Sequence, residues 1–231
     1  ERERILGLIE RRISAHVPVP YLVGRAWYAG LPFSVEPRVL IPRSPIFELV
    51  AEEFVPLFVA PDDRPVRILD LCTGSGCLGI IASLAFPEST GVLADLDADA
   101  CEVAIDNVQL HGLEDRLEVI QSDGFDGLYD EVFDLLICNP PYVDAEDMAS
   151  LPAEYRHEPE LALASGEDGL SLVRRLLSQA ADWLTESGVM VLEIGNSWGR
   201  LDAELVHVLG HPVQWIEFAN GGHGVCVLSK S

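Results

Sequence analysis

The spacing of apolar residues changes along the chain, and its N-terminal part predicts two helices around a hairpin. Over residues 1–14, apolar side chains recur three and four positions apart between charged ones, which predicts an amphipathic helix. Short β-type runs within residues 21–43 are interrupted by glycine and proline and predict a hairpin. Ser44, a good N-cap, and Pro45, which suits a first turn, predict a second helix whose apolar stripe reaches Phe54.

Beyond residue 65, apolar strands alternate with amphipathic helices. The predicted strands cover residues 67–71, 91–94, 117–121, 133–138, 188–194, 213–218 and 225–229. The predicted helices cover residues 78–86, 98–111, 170–186 and 199–209. This alternation predicts an α/β fold with a mostly parallel seven-stranded sheet that is covered on both faces. Because only a short turn separates the last two strands, they must pair antiparallel, and the sheet should finish in a terminal antiparallel hairpin.

Composition and charge exclude several classes of protein. The 231 residues include 15 basic and 38 acidic side chains, for a net charge of −23. Nucleic-acid binders gain much of their affinity by neutralising phosphates with Lys and Arg, so this balance argues against direct nucleic-acid contact. A hydrophobic share of 48% supports a large core and excludes global disorder. No apolar run approaches the ~20 residues that a membrane span needs.

The cysteines indicate the compartment of the protein, and the length of the chain indicates its number of domains. Five cysteines form no CxxC pair and have no histidine at zinc-ligand spacing, so we expect no metal site and a reducing, cytoplasmic compartment. The length predicts one main domain with a small appendage, since domains run ~50–250 residues. Because the chain starts at Glu1 and not at Met, we expect the natural protein to have residues before it.

A glycine-rich loop follows the first strand of the predicted sheet. Glycines let a backbone turn tightly and approach a ligand, and the N-terminus of the next helix offers free N–H groups. This loop therefore predicts a nucleotide-type cofactor. Its spacing alone is typical of dinucleotide and of S-adenosyl-L-methionine sites equally, because Gly79 completes a G-x-G-x-x-G pattern. The candidate cofactor-binding residues of the loop are Asp70, Cys72, Thr73, Gly74, Ser75 and Gly76.

Acidic residues follow the next two strands. Asp95 lies about 20 residues after the loop, where an acid can accept hydrogen bonds from both ribose hydroxyls. Asp97 is expected to cap the following helix instead. After the third strand, Asp123 can accept from the adenine amine, and Gly124 and Phe125 are candidates for the adenine site. An Asp-Gly turn followed by a core phenylalanine is the alternative there.

The segment Asn139, Pro140, Pro141, Tyr142 directly follows the fourth strand. Two prolines stiffen the backbone, so the Asn139 side chain and the Pro140 carbonyl can be held as two fixed acceptors. A planar –NH2 group donates two such hydrogen bonds, which would orient its nitrogen toward a sulfonium methyl while Tyr142 packs on the planar group. These four residues are therefore the predicted catalytic residues. A turn that merely ends a strand is the alternative.

Taken together and in this strand order, these motifs resemble the class I S-adenosyl-L-methionine-dependent methyltransferases that act on planar amino or amide nitrogen, over about residues 66–231. This resemblance implies a Rossmann-like fold and S-adenosyl-L-methionine as the cofactor. It leaves two main classes, base methyltransferases of nucleic acid and glutamine methyltransferases of proteins. A non-catalytic assembly factor that binds the cofactor is a further alternative, which two aligned amide acceptors disfavour.

The N-terminal part separates these classes. Residues 21–33 and 39–43 are similar to the connector of the protein-(glutamine-N5) methyltransferases, and the continuation at Ser44 and Pro45 resembles the branch that methylates ribosomal protein L3. The resemblance implies methyl transfer to the side-chain amide of a glutamine in L3, with the glutamine of peptide release factors as the alternative. It divides the chain into an N-terminal helix and hairpin at 1–43, part of a larger substrate-recognition domain, and a methyltransferase domain at 44–231.

The charge around the predicted site agrees with a protein substrate. Residues 144–168 contain eight acids against one base, Arg156. An acidic rim repels phosphates and attracts basic protein, and ribosomal proteins are typically basic. A solvated acidic loop with no steering role is the alternative. Arg43 is expected to contact the cofactor carboxylate, to order the catalytic turn, or to form a salt bridge of the connector. We expect L3 as the partner, no direct nucleic acid, no membrane, and a monomer or weak dimer.

Overall fold

The carboxyl ends of five parallel strands create one edge of the main sheet, and the candidate residues gather there. The computed structural model describes residues 1–51, 57, 64–209, 213–219 and 221–230. The strands of the main sheet are β3 Arg67–Leu71, β4 Thr90–Asp95, β5 Leu117–Gln121, β6 Phe133–Cys138, β7 Leu184–Glu193, β8 Gln214–Trp215 and β9 Val225–Ser229. Their spatial order in the sheet is β5-β4-β3-β6-β7-β9-β8, and the labels β1 and β2 belong to the N-terminal hairpin described below.

The first five strands in that order are mutually parallel, and β9 pairs antiparallel with both β7 and β8. The predicted terminal hairpin is therefore confirmed. From β3 the chain first adds β4 and β5 on one side of β3 and then adds β6 on the other side. Open α/β sheets bind ligands at such a switch point.

Helices cover both faces of the sheet, as predicted. They are α3 Ile46–Ala51, α4 Cys77–Ala85, α5 Ala98–Leu110, α6 Ala145–Ser150, α7 Ser171–Ala180 and α8 Trp198–Leu209. Successive strand residues point to opposite faces. Ile68, Leu135 and Ile137 therefore pack with α3, α4 and α5, whereas Leu69 and Leu136 pack with α7 and α8.

Helix α1 Arg2–Ser14, helix α2 Val19–Val23 and an antiparallel hairpin, β1 Arg25–Tyr28 with β2 Leu31–Ser34, form the N-terminal part. The hairpin belongs to the core of the main sheet, because Phe33 is fully buried against that core and Ser34 N–H donates to Asn107 Oδ1 at 2.7 Å. The apolar stripe predicted for α1 exists but is exposed, with Ile13 68% accessible. A division of the chain at residue 43 stays a prediction.

Three predicted elements had bounds that were wrong by more than one residue, and one of them is the strand predicted over 188–194, which spans Leu184–Glu193. The helix predicted over 170–186 ends at Ala180, a 3-10 turn spans Ala181–Trp183, and β7 begins at Leu184. Leu184 pairs with Phe133 of β6 and is 2% exposed, so sheet pairing outweighs the helical spacing of this segment. The strand predicted over 213–218 is only two residues long. The predicted helix residues from 52 onward that include Phe54 lie outside the described residues.

None of the helices in the described ranges is long and apolar enough to cross a membrane.

Candidate active site

Two cavities open side by side at the carboxyl edge of the sheet, and Asn139 lines both of them. The first, here called the loop cavity, lies beside the loop that joins β3 to α4 and reaches the ends of β4 and β5. The second, here called the turn cavity, lies beside residues 139–142 and reaches the end of β7. Leu40 and Ala162 also line both cavities. Groups bound in the two cavities would therefore meet at the Asn139 side chain.

Asp70 lies beneath the β3–α4 loop and is not part of the wall of the loop cavity. Its Oδ2 accepts hydrogen bonds from the Thr73 hydroxyl at 2.6 Å and from the Gly79 backbone N–H at 2.8 Å. Gly79 permits this close packing of α4 on the sheet, because an added Cβ would lie 2.2 Å from Leu93 Cδ2. Asp70 thus stabilises the conformation of the loop through these two hydrogen bonds.

The other loop residues divide between the cavity and the interior. Cys72 and Gly74 line the loop cavity. Cys72 has a φ of 59°, which is uncommon for a residue with a side chain and is found at sites where the surrounding structure enforces it. The carbonyl of Ser75 accepts a hydrogen bond of 2.8 Å from the fully buried Asn107 amide. Buried within the loop and outside the cavity wall are Thr73, Ser75 and Gly76.

The buried carboxyl of Asp70 makes the stability of the fold depend on pH. Burial raises the pKa of Asp70 to about 7, against the opposing hydrogen bonds from Thr73 and Gly79. Because the folded state then binds more protons than the unfolded state, the free energy of unfolding falls as the pH rises from about 4 to about 7, with a contribution from Asp70 of up to roughly 1.4 kcal/mol per pH unit.

We expect Asp70→Asn to lose this contribution, so that its stability relative to the unaltered protein improves as the pH rises. Urea unfolding of both proteins between about pH 4 and pH 8 checks this expectation. Stability curves that run parallel over the whole range would contradict it.

Asp95 ends β4 in the wall of the loop cavity. Its Oδ2 accepts from the Gly74 backbone N–H at 2.8 Å and its Oδ1 from the Asp97 N–H at 3.0 Å. Each carboxylate oxygen has a further lone pair, so ribose hydroxyls could still donate to Asp95. Asp97 caps α5 by accepting from the Asp99 N–H at 2.9 Å, which confirms its predicted role.

Asp123 and Gly124 line the loop cavity beyond β5, together with Ser122. The Asp123 carboxylate forms an ion pair with Arg175, and the hydrogen bond from Arg175 lowers the pKa of Asp123. Arg175 lines the same cavity. The carboxylate therefore stays ionised and available as an acceptor at this end of the cavity.

Phe125 lies in the core and not at the cavity. Its ring is 2% exposed and stacks on Trp183, with ring centroids 5.2 Å apart. The structure thus favours the core phenylalanine that was the alternative for this position. Leu96 and Leu172 supply apolar wall in the loop cavity instead.

The turn at residues 139–142 faces both cavities. Asn139 is half-buried, and among the described residues no group hydrogen-bonds its carboxamide. Pro140 and Tyr142 line the turn cavity, whereas Pro141 lines the loop cavity. The prolines restrict the backbone and Asn139 keeps a free acceptor oxygen, so the turn can hold a planar –NH2 group between the cavities.

Glu193 is a site residue that the sequence reasoning missed. It ends β7, lines the turn cavity and is 4% exposed. Its Oε1 accepts from the Tyr142 hydroxyl at 2.9 Å, and its Oε2 accepts from the Ser44 hydroxyl. The signal was available in the sequence, because an acid that directly follows a buried apolar strand also marks Asp95.

Arg43 forms a salt bridge within the molecule. Its guanidinium donates to both Glu158 oxygens, at 2.7 and 2.9 Å, and lies 4.8 Å over the Tyr155 ring. Glu158 Oε2 also accepts from the Ile41 N–H at 3.2 Å. The salt bridge expected as one of three roles for Arg43 is therefore the one observed, and it fixes the connector to the segment that follows α6.

The acidic segment at residues 144–168 borders both cavities. Three of its acids form ion pairs with arginines, namely Glu154 with Arg12, Glu158 with Arg43 and Asp168 with Arg174. No ion pair between described residues includes the four acids here called the acidic rim, which are Glu146, Asp147, Glu160 and Glu167. Of these four acids, Asp147 lines the turn cavity itself, so the rim adds negative charge beside that cavity.

The donors and acceptors of the loop cavity fit an adenosyl cofactor. Asp95 and Asp123 offer carboxylates at the ends of adjacent strands, and Leu96 offers apolar surface between them. A Cβ atom added to Gly74 would have no other atom within 4 Å, so there is open space beside the backbone of the loop. The described residues contain no cluster of three or more potential metal ligands.

The family model and the curated relatives that match this chain are all described as methyltransferases. A family model described as a methyltransferase small domain matches residues 55–154. The chain is similar to the ribosomal protein uL3 glutamine methyltransferase of Francisella tularensis, with 43% identity over 99% of this chain and 72% of that protein. It is also similar to the protein of the same name from Bordetella pertussis, with 45% identity over 100% of this chain and 76% of that protein.

A solved structure, the hMettl16 catalytic domain in complex with a MAT2A 3′UTR hairpin, has a TM-score of 0.67. It covers 99% of this chain and 81% of its own, at 18% identity, so this likeness shows the fold alone. The class I methyltransferase fold that the sequence predicted is therefore confirmed.

Proposed function

Because this chain belongs to the family of ribosomal protein uL3 glutamine methyltransferases, we propose that it transfers a methyl group from S-adenosyl-L-methionine to the side-chain amide nitrogen of a glutamine in uL3. The observation that carries the proposal is the position of Asn139. Its unpartnered carboxamide lies where the loop cavity meets the turn cavity. The loop cavity would hold the cofactor and the turn cavity the glutamine.

In the loop cavity, Asp95 would accept from the ribose hydroxyls and Asp123 from the adenine amine. Asp70 acts indirectly, by holding Thr73 and Gly79 and therefore the path of the loop. When bound, S-adenosyl-L-methionine supplies an electrophilic methyl group on a sulfonium. Asn139 would border this methyl group from the side of the turn cavity.

In the turn cavity, the chain must overcome the low reactivity of an amide. The nitrogen lone pair of a glutamine side chain is delocalised into its carbonyl, so the amide is a poor nucleophile. The Asn139 side-chain oxygen and the Pro140 carbonyl would each accept one of the two N–H protons, which fixes the plane of the amide. Tyr142 would pack on that plane. Orientation by fixed acceptors would therefore favour transfer without a strong base beforehand. The N–CH3 bond would form as the S–CH3 bond breaks to leave a neutral thioether, and the surplus N–H proton would then pass to water.

The acidic rim supports a basic protein as the substrate. Its carboxylates have no cation among the described residues, and Asp147 lines the turn cavity itself. Charge complementarity of this kind raises the association rate with a basic partner and repels phosphates. All five cysteines are free, which fits the reducing cytoplasm in which we propose that the reaction takes place.

Incubation with methyl-labelled S-adenosyl-L-methionine and three separate acceptors tests the function. The acceptors are ribosomal protein uL3, a peptide release factor and ribosomal RNA. We expect label on uL3 alone, located on a glutamine by peptide mass spectrometry, and none with Asn139→Ala. Label on the release factor would retain the chemistry and refute the substrate. Label on RNA alone would refute glutamine methylation.

A further inference from the structure

Glu193 brings together three parts of the molecule at the turn cavity. Tyr142 belongs to the turn after β6, Ser44 precedes α3, and Glu193 ends β7. The two hydroxyl groups donate to different oxygens of the one carboxylate. Ser44 in turn accepts, through its backbone carbonyl, a hydrogen bond of 2.6 Å from the Tyr28 hydroxyl of the hairpin. A continuous polar chain therefore connects the N-terminal hairpin with the proposed catalytic turn.

A carboxylate in this position is costly for the fold. Glu193 is 4% exposed and has no arginine or lysine within salt-bridge distance among the described residues. Burial raises the pKa of Glu193, and the hydroxyls of Ser44 and Tyr142 oppose that shift. An apolar side chain of similar size would avoid this cost. Arg43 and His223 also oppose the shift through their charge, but an acid that only supported the fold would still be a costly choice here.

The contacts of Tyr142 show what the carboxylate does. Burial raises the pKa of Tyr142 above its ordinary value, so the phenol stays protonated and donates to Glu193. The ring edge lies against Gly195, where an added Cβ would be 2.6 Å from Tyr142 Cε2. Glu193 therefore holds the hydroxyl end of the ring, and Gly195 leaves just the room that the ring occupies.

We propose that Glu193 is a positioning residue for methyl transfer, which acts by holding the Tyr142 ring in the orientation that the target amide packs against. This inference rests on the proposed function, in which Tyr142 contacts the substrate amide. An amide nitrogen must be aligned closely to react, and small misplacements of an orienting group cost up to about 100-fold in rate. Glu193 would thus contribute to kcat by acting through the Tyr142 side chain.

The test removes the Tyr142–Glu193 hydrogen bond from each side. Glu193→Leu keeps the size of the side chain but has no acceptor, and Tyr142→Phe keeps the ring but has no donor. We expect each variant to lose roughly 10- to 100-fold in kcat on uL3, with little change in KM for uL3 and in the Kd for S-adenosyl-L-methionine. Glu193→Gln still accepts from Tyr142 and should retain most of the activity.

The double variant separates positioning from a general structural role. If Glu193 acts through the Tyr142 hydroxyl, Glu193→Leu combined with Tyr142→Phe should be no worse than the poorer single variant. Asp202→Leu is the matched control, because Asp202 also accepts from an aromatic side chain, Trp215 Nε1 at 2.8 Å, and the change removes that acceptor outside both cavities. It should leave kcat close to that of the unaltered protein.

Several results would overturn the inference while leaving the function intact. They are an unaltered kcat in Glu193→Leu or in Tyr142→Phe, multiplying losses in the double variant, or a loss of cofactor affinity that parallels the loss of kcat. If Glu193→Leu does not fold, Tyr142→Phe decides the question alone. Failure of the unaltered enzyme to label uL3 would instead refute the proposed function.

Discussion

Replacing Asn139 by alanine should reduce methyl transfer to uL3 by about 1,000-fold, because the main oriented acceptor for the amide N–H groups is lost. Asn139 lines both cavities and its carboxamide has no partner among the described residues, so no structural hydrogen bond is broken by the change. The fold and the cofactor site should remain. We therefore expect the Kd for S-adenosyl-L-methionine, measured by calorimetry, to stay within a few-fold of that of the unaltered protein.

Asn196→Ala is the matched control for this experiment. Asn196 is another carboxamide of the turn cavity, but it does not line the loop cavity and its Oδ1 lies 2.9 Å from His223 Nε2. Its loss should reduce the rate far less than the loss of Asn139. Comparable activity in Asn139→Ala and the unaltered enzyme would exclude the proposed role of Asn139, and a parallel fall in cofactor affinity would assign Asn139 to binding instead.

Replacing Asp95 by alanine should weaken S-adenosyl-L-methionine binding by about 100-fold. Two effects combine, because the change would remove acceptors for the ribose hydroxyls and also the hydrogen bonds that hold the Gly74 and Asp97 backbone N–H groups. Hydrogen bonds to a charged group contribute roughly 1.5–3 kcal/mol each, so a 100-fold loss, about 2.8 kcal/mol, corresponds to the loss of one or two of them. Calorimetric titration with the cofactor measures the effect directly.

The neighbouring Asp97→Ala provides the comparison. Asp97 lies in the same cavity wall, but its carboxylate caps α5 through the Asp99 N–H. We expect about 1 kcal/mol of lost stability and little change in cofactor affinity. Equal losses of affinity in both variants would show that general disturbance of this wall, and not the acceptors of Asp95, is responsible.

The order of strands and helices was predictable because it depends on local patterns. Strands β3, β5, β6 and β9 have the predicted bounds, since each is a short run rich in apolar residues. The short turn before β9 required the antiparallel ending of the sheet. The start of β7 was not predictable in this way, because Leu184 and the residues before it also fit helical spacing, and only pairing with β6 decides between the two.

Sequence motifs also indicated where the proposed chemistry would lie, at the edge of the sheet. A motif at a strand end must lie where parallel strands end together, so Asp95, Asp123 and Asn139 could be grouped without coordinates. The family resemblance that these residues carry, and not their spacing alone, points to S-adenosyl-L-methionine and to an amide nitrogen, and the curated relatives are named glutamine methyltransferases.

Only the tertiary structure decided which side chains face a cavity. Asp70 and Phe125 belong to the same motifs as the cavity residues, yet Asp70 supports the loop from below and Phe125 stacks on Trp183 in the core. Glu193 lies 51 residues after Tyr142 in the chain and bonds to it across two adjacent strands. Such contacts depend on the packing of distant segments, which a local pattern does not encode. The succession of strands and helices along the chain, and the residue types of each motif, depend on neighbours in sequence.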